Sequence, residues 1–143
     1  MRMEDMILVS NSFREGKLPS DVFREQILAC FITDPSGLKL RHDIGIDLIA
    51  WECDYPHTDT TWPQSPEYAW KEFQGAGCTD EEIHKITWEN ACRFFDWDPF
   101  AHTPREQATV GALRSLATDV DTTRMSRQEW RTRNEAAGIG VVS

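Results

Sequence analysis

An aspartate at position 54, a histidine three residues later and a glutamate two residues earlier stand together in the run Trp51-Glu52-Cys53-Asp54-Tyr55-Pro56-His57. A carboxylate there can ligate a metal or act as a base, or it can simply cap its loop. His57, at that spacing, either points into the same pocket as Asp54 or hydrogen-bonds loop backbone. Glu52 sits on an otherwise apolar strand, where an unpaired buried charge is costly, so it either supports Asp54 or faces the mouth of a cavity. Trp62, further along the loop, either walls a substrate pocket or packs beside Pro63. The chain carries no G-x-S-x-G, no P-loop and no G-x-G-x-x-G, which removes the common nucleophile-elbow, phosphate-loop and dinucleotide readings.

The elements that must position these residues follow from the flanking pattern. Leu48-Ile49-Ala50-Trp51 is a short apolar run that stops at Glu52-Cys53-Asp54, as expected of a strand buried on both faces in a parallel sheet. Asp54 then lies at the carboxyl end of that strand, where α/β folds place their ligand sites. Upstream, residues 27–32 read as a first buried strand, preceded by a turn at Pro19-Ser20-Asp21 and a short helical piece over 22–26. Asp34-Pro35 restarts a helix, with Leu38, Arg41 and Ile44 recurring at threes and Gly45 as its C-cap. The order strand, helix, strand predicts one right-handed βαβ unit. Downstream, Ser65-Pro66-Glu67 opens a helix whose apolar face carries Trp70 and Phe73, and Gly75 and Gly77 close it. Thr79-x-x-Glu82 is a capping box leading into Ile83, Ile86, Asn90 or Ala91, and Phe94 at helical spacing. Asn90 on that apolar face needs buried partners, for which the backbone of the adjoining loop is available.

The Asp-Tyr-Pro-His run, its continuation Asp59-Thr60-Thr61-Trp62-Pro63, the upstream Pro19-Ser20-Asp21-Val22-Phe23-Arg24 and Asp34-Pro35-Ser36-Gly37, and the downstream Glu89-Asn90-Ala91 with Arg93 carry a resemblance. Across residues 18–97 the chain resembles the C-terminal part of the amidohydrolase-related family. These are metal-dependent TIM-barrel hydrolases and decarboxylases that include aminocarboxymuconate-semialdehyde decarboxylase. The resemblance implies an α/β fold and a small-molecule substrate. It makes Asp54 a ligand of a catalytic divalent metal, usually zinc, with Glu52, His57 and Trp62 as residues that touch substrate or support Asp54. In that family a His-x-His pair from the first strand and histidines from later strands complete the metal set. The histidines here, His42, His57, His84 and His102, include no such pair. A complete (β/α)8 barrel takes about 250 residues, more than this chain's 143.

The expectation is therefore a C-terminal fragment of a TIM barrel. Residues 1–17 would be a flexible lead-in, 18–100 two parallel strands with their outer helices, and 101–143 a helical or partly disordered extension. In the extension, residues 104–117 suit an amphipathic helix through Val110, Leu113 and Leu116, and Ser126-x-x-Glu129 caps another around Trp130. Alone, such a chain is expected to hold zinc weakly and to be inactive. It would self-associate or await a partner chain that completes the barrel. The alternative is a non-catalytic remnant or interaction module that pairs through exposed strand edges.

Composition narrows the partners. The chain is 40% hydrophobic and 27% charged with a net charge of −9, an ordinary globular make-up. Residues 1–100 hold 19 acidic and 9 basic side chains, whereas residues 101–143 hold six Arg against five acidic groups. An acidic body excludes a nucleic-acid surface, which needs clustered Lys and Arg. Cys30, Cys53, Cys78 and Cys92 show no metal-knuckle spacing and read as reduced thiols of a cytoplasmic protein. The four-residue apolar run at positions 6–9, set among charges, is neither a signal peptide nor a membrane span.

Overall fold

The computed structural model describes residues 17–123 and 125–138. It divides into two compact units, one comprising the chain up to Glu52 together with Ala69–Pro99, the other comprising Cys53–Tyr68 with the chain from Phe100 onward. Apart from Lys17, the lead-in expected over 1–17 lies outside the described residues, the 6–9 run included.

In the first unit, helix α1 (Pro19–Gln26) begins three residues before the expected 22, because Pro suits a first helical position and the Asp21 carboxylate accepts the Leu18 N–H at 2.9 Å. Strands β1 (Ala29–Phe31) and β2 (Ile49–Trp51) pair in parallel, with Ala29 opposite Ile49, Cys30 opposite Ala50 and Phe31 opposite Trp51. Both strands are shorter than the apolar runs that announced them. The Ile27 N–H is spent on the Phe23 carbonyl at the end of α1, and Leu48 belongs to a 3-10 turn (Ile46–Leu48) whose N–H bonds Gly45 O. Between the strands run α2 (Pro35–Lys39) and α3 (Arg41–Ile44), one expected helix broken at Leu40. Asp34 caps α2 by accepting the Gly37 N–H at 2.8 Å, an approach so close that a Cβ at position 37 would meet Asp34 Oδ2 at 2.3 Å. Gly45 closes α3 at φ 115°, a conformation open to glycine and costly for other residues.

Helix α4 (Ser65–Gly75) ends in a turn, after which α5 (Asp80–His84), a wide π turn (Lys85–Glu89) and α6 (Asn90–Phe94) run on as one continuous rod. The core gathers Leu38, Ile49, Phe73, Ile83 and Ile86, with Ala29, Phe31 and Trp51 packed against it. Alternation along the strands puts Cys30, Ala50 and Glu52 on the opposite face. Trp70, expected beside Phe73, is instead 53% exposed while Phe73 is 1% exposed. The buried stripe of α4 is Ser65, Ala69 and Phe73 at spacing four, and Trp70 falls to one side of it. Phe94 is also half exposed, since it lies one turn past Asn90, beside Ile27 and Leu48 around an open cleft of about 460 Å³. Asn90 is fully buried, and its side-chain amide donates to Ile46 O at 2.8 Å and Ile49 O at 2.9 Å, the loop backbone that a buried amide needs.

Arg41 is the buried charge among the described residues of this unit, at 9% exposure. Its guanidinium donates to the carbonyls of Leu38, Ala76 and Gly77 and pairs with Glu82 at 3.0 Å. Glu82 also bonds His42 Nε2 at 3.0 Å and accepts the Thr79 N–H at 2.9 Å, the second half of the capping box.

The second unit contains a 3-10 turn (Arg105–Gln107), α7 (Val110–Leu116) and α8 (Arg127–Ala136). The helix expected over 104–117 begins only at Val110, because Thr109 accepts the Ala112 N–H at 3.2 Å and so caps it there. Ser126 and Glu129 form the expected capping box of α8. Among the described residues no helix is long and apolar enough to cross a membrane.

Candidate functional site

Asp54 follows β2 by three residues and adopts φ 52°, the left-handed region that a non-glycine residue enters at a cost, though aspartate tolerates it better than most. A strained residue in the loop that leaves a strand is a reason to look for function there. The turn so formed brings the His57 N–H to the Asp54 carbonyl at 2.8 Å and His57 Nδ1 to Asp54 Oδ1 at 2.8 Å. Of the two readings of His57, the structure has the imidazole on the carboxylate. That hydrogen bond, with the negative charge behind it, raises the His57 pKa above its ordinary value. The protonated imidazole thus donates to Asp54 over a wider pH range than a free histidine would.

Thr60 organises the loop behind this pair. Its hydroxyl donates to the Cys53 carbonyl at 2.6 Å, and its Oγ1 accepts the Trp62 N–H at 3.2 Å. Cys53 Sγ lies 3.5 Å from the same hydroxyl and 3.3 Å from Ser65 Oγ. The Tyr55-Pro56 and Trp62-Pro63 peptides are both cis. The Tyr55 and Trp62 rings meet at 5.0 Å between centroids, tilted 48°. Trp62 therefore packs on Tyr55 and, together with His57, also lines a cleft of about 730 Å³ whose other wall is α8. Glu52 is not drawn into this cluster. It is exposed, on the strand face turned away from the core, so it carries no buried charge in need of a partner; its N–H donates to Phe31 O at 2.9 Å and extends the ladder by one bond.

Sequence reasoning missed Arg114. Its guanidinium grips both oxygens of Glu67 and donates to the Pro63 carbonyl at 3.1 Å, tying α7 to the end of the loop and holding the Glu67 carboxyl below its ordinary range. An unpaired arginine on an otherwise apolar helix face was the available signal, and nothing local named its partner 47 positions away.

A catalytic zinc needs about three protein ligands and an open position. The loop supplies Asp54 and His57, and these are already bonded to each other. Among the described residues no group of three or more His, Cys, Asp or Glu side chains is placed to hold a metal ion. His42 is engaged with Glu82 on α3, and His84 and His102 lie on α5 and in the chain before the Arg105–Gln107 turn. Among the described residues, these two ligands do not by themselves make up a catalytic metal centre.

A protein-family model described as Amidohydrolase matches residues 17–97, more than half of the chain, and includes both strands, the Asp54 loop and the rod from α5 to α6. Helices α7 and α8 lie beyond the match. No curated protein matches the chain.

Proposed function

The chain belongs to the amidohydrolase family, and from that footing we propose that it holds the last two β/α units and closing helix of that family's barrel, contributing Asp54 to metal-dependent hydrolysis or decarboxylation of a small-molecule substrate. The family generally uses a divalent metal, and zinc is the ion this reading assigns. The observation that carries the reading is the placement of Asp54: a strained carboxylate in the loop that leaves the second of two parallel strands, where α/β folds put their chemistry. His57 orients that carboxylate. With two candidate ligands where about three are needed, the chain is inactive alone.

The remaining strands would come from a partner chain. Supporting this, among the described residues β1 and β2 pair only with each other, which leaves two outer edges free, and Cys30 and Glu52 lie exposed on the face away from the core. The same edges support the alternative of a non-catalytic pairing module.

A chimera decides between them. Residues 17–97 replace the equivalent C-terminal segment of an active, metal-dependent member of the family, and zinc content and turnover are measured. Our reading expects zinc and measurable turnover in the chimera, both lost in Asp54→Ala. A folded chimera that is metal-free, or one that keeps zinc and turnover without Asp54, would refute the assignment.

A further inference from the structure

We propose that the cleft between the 55–63 loop and α8 is a binding site for a planar phosphomonoester, the chemistry of a mononucleotide. Arg127, Trp130, Arg131 and Asn134 recur at helical spacing, so they share one face of α8, and all four line the cleft. The opposite wall presents the tilted Tyr55–Trp62 pair. The cleft's volume of about 730 Å³ falls within the range of about 300–1,000 Å³ usual for small-molecule sites.

Charge chooses the class of ligand. Arg133, also on the cleft, is neutralised by Asp121, whose carboxyl is held low by hydrogen bonds from Thr123 and by Arg133 itself. Arg127 and Arg131 have no acidic partner among the described residues, so this wall of a chain with net charge −9 keeps two uncompensated positive charges. Like charges four apart on a helix repel, which disfavours the empty arrangement and rewards an anion placed between them. A phosphomonoester carries a charge of about −1.5 to −2 near neutral pH and matches two guanidiniums; a carboxylate, with one charge, leaves one unmatched. Guanidinium forks bind phosphate oxygens in pairs, and the indole and phenol faces offer stacking for a planar ring. α8 lies outside the family-matched segment, whereas the 55–63 loop lies inside it and carries His57; the two arginines and Trp130 belong to α8 alone, so substitutions there test nucleotide binding without touching Asp54 or His57.

The full chain is titrated with adenosine monophosphate while tryptophan fluorescence is followed, with adenosine, inorganic phosphate and benzoate in parallel. Saturable quenching by the nucleotide is expected, with adenosine and phosphate each binding at least about tenfold more weakly, since each retains only half of the recognition. Arg127→Gln and Arg131→Gln should each weaken nucleotide binding about tenfold. Trp130→Leu should remove much of the quenching, and Lys39→Gln on α2 should change nothing. Circular dichroism establishes that each variant keeps its helices. Absence of saturable binding, equal binding of benzoate or adenosine, or indifference to both arginine substitutions in folded protein would overturn the proposal.

Discussion

Replacing Phe73 by alanine is expected to cost about 3–5 kcal/mol, the range for truncating a buried aromatic side chain, because the ring is 1% exposed and sits among Leu38, Ile49, Ile83 and Ile86. At about 4–8 °C per kcal/mol for a unit of this size, the melting temperature should fall by tens of degrees, and the cooperative transition is expected to vanish if the unit begins with only a few kcal/mol to spare. Trp70→Ala, three residues away on the same helix, should change stability by less than about 1 kcal/mol, since more than half of that side chain is already in water. Thermal melts at one fixed protein concentration compare the two. Equal losses would mean that Trp70 is covered in solution by something that the fold of the first unit does not include.

Glu82→Ala is the second large effect. It strips the buried Arg41 guanidinium of its only acidic partner among the described residues and breaks the Thr79 capping box, and losing one member of a buried pair costs about 3–5 kcal/mol. The double change Arg41→Met with Glu82→Leu should recover part of that loss, because neither charge is then stranded, although the Thr79 N–H and the carbonyls of Leu38, Ala76 and Gly77 still lose a partner. The pair also sets a pH dependence. The hydrogen bond from Arg41 holds the Glu82 carboxyl below its ordinary range, so the folded form binds that proton less readily than the unfolded form. The stabilisation is therefore complete above the unfolded carboxyl value of about 4.3 and is lost as pH falls through the lower folded value. Melts taken from neutral pH into acid should show this loss in the parent chain and a flatter acid limb in Glu82→Ala. An identical acid limb would place the titration elsewhere.

What was legible in the sequence was local chemistry. Asp34 before Pro35, Thr79 three before Glu82 and Ser126 three before Glu129 are each satisfied within a turn of themselves, so their caps could be read without knowing the fold. The two strands were legible as apolar runs, but their ends were not, because the Ile27 and Leu48 backbone is claimed by the preceding helix and turn. Large aromatics drew attention on α4 while Ser65 and Ala69, too small to mark a face, in fact define it with Phe73. The Arg41–Glu82 pair spans 41 positions and the Arg114–Glu67 pair 47, distances at which sequence pattern carries no pairing information. At the candidate site, Asp54 and His57 were legible because a spacing of three within a loop already places them within reach. The cleft was not, because its second wall comes from α8, some 70 residues further on.

In the proposed reading Asp54 is one member of a metal set whose other members are not found among the described residues. The direct measurement is the zinc content of the purified chain after exhaustive dialysis, set beside that of Asp54→Ala. Zinc far below one ion per chain is expected in both proteins, with no difference between them. One zinc retained per chain, and lost on Asp54→Ala, would contradict it and require further ligands from this chain or from a second copy.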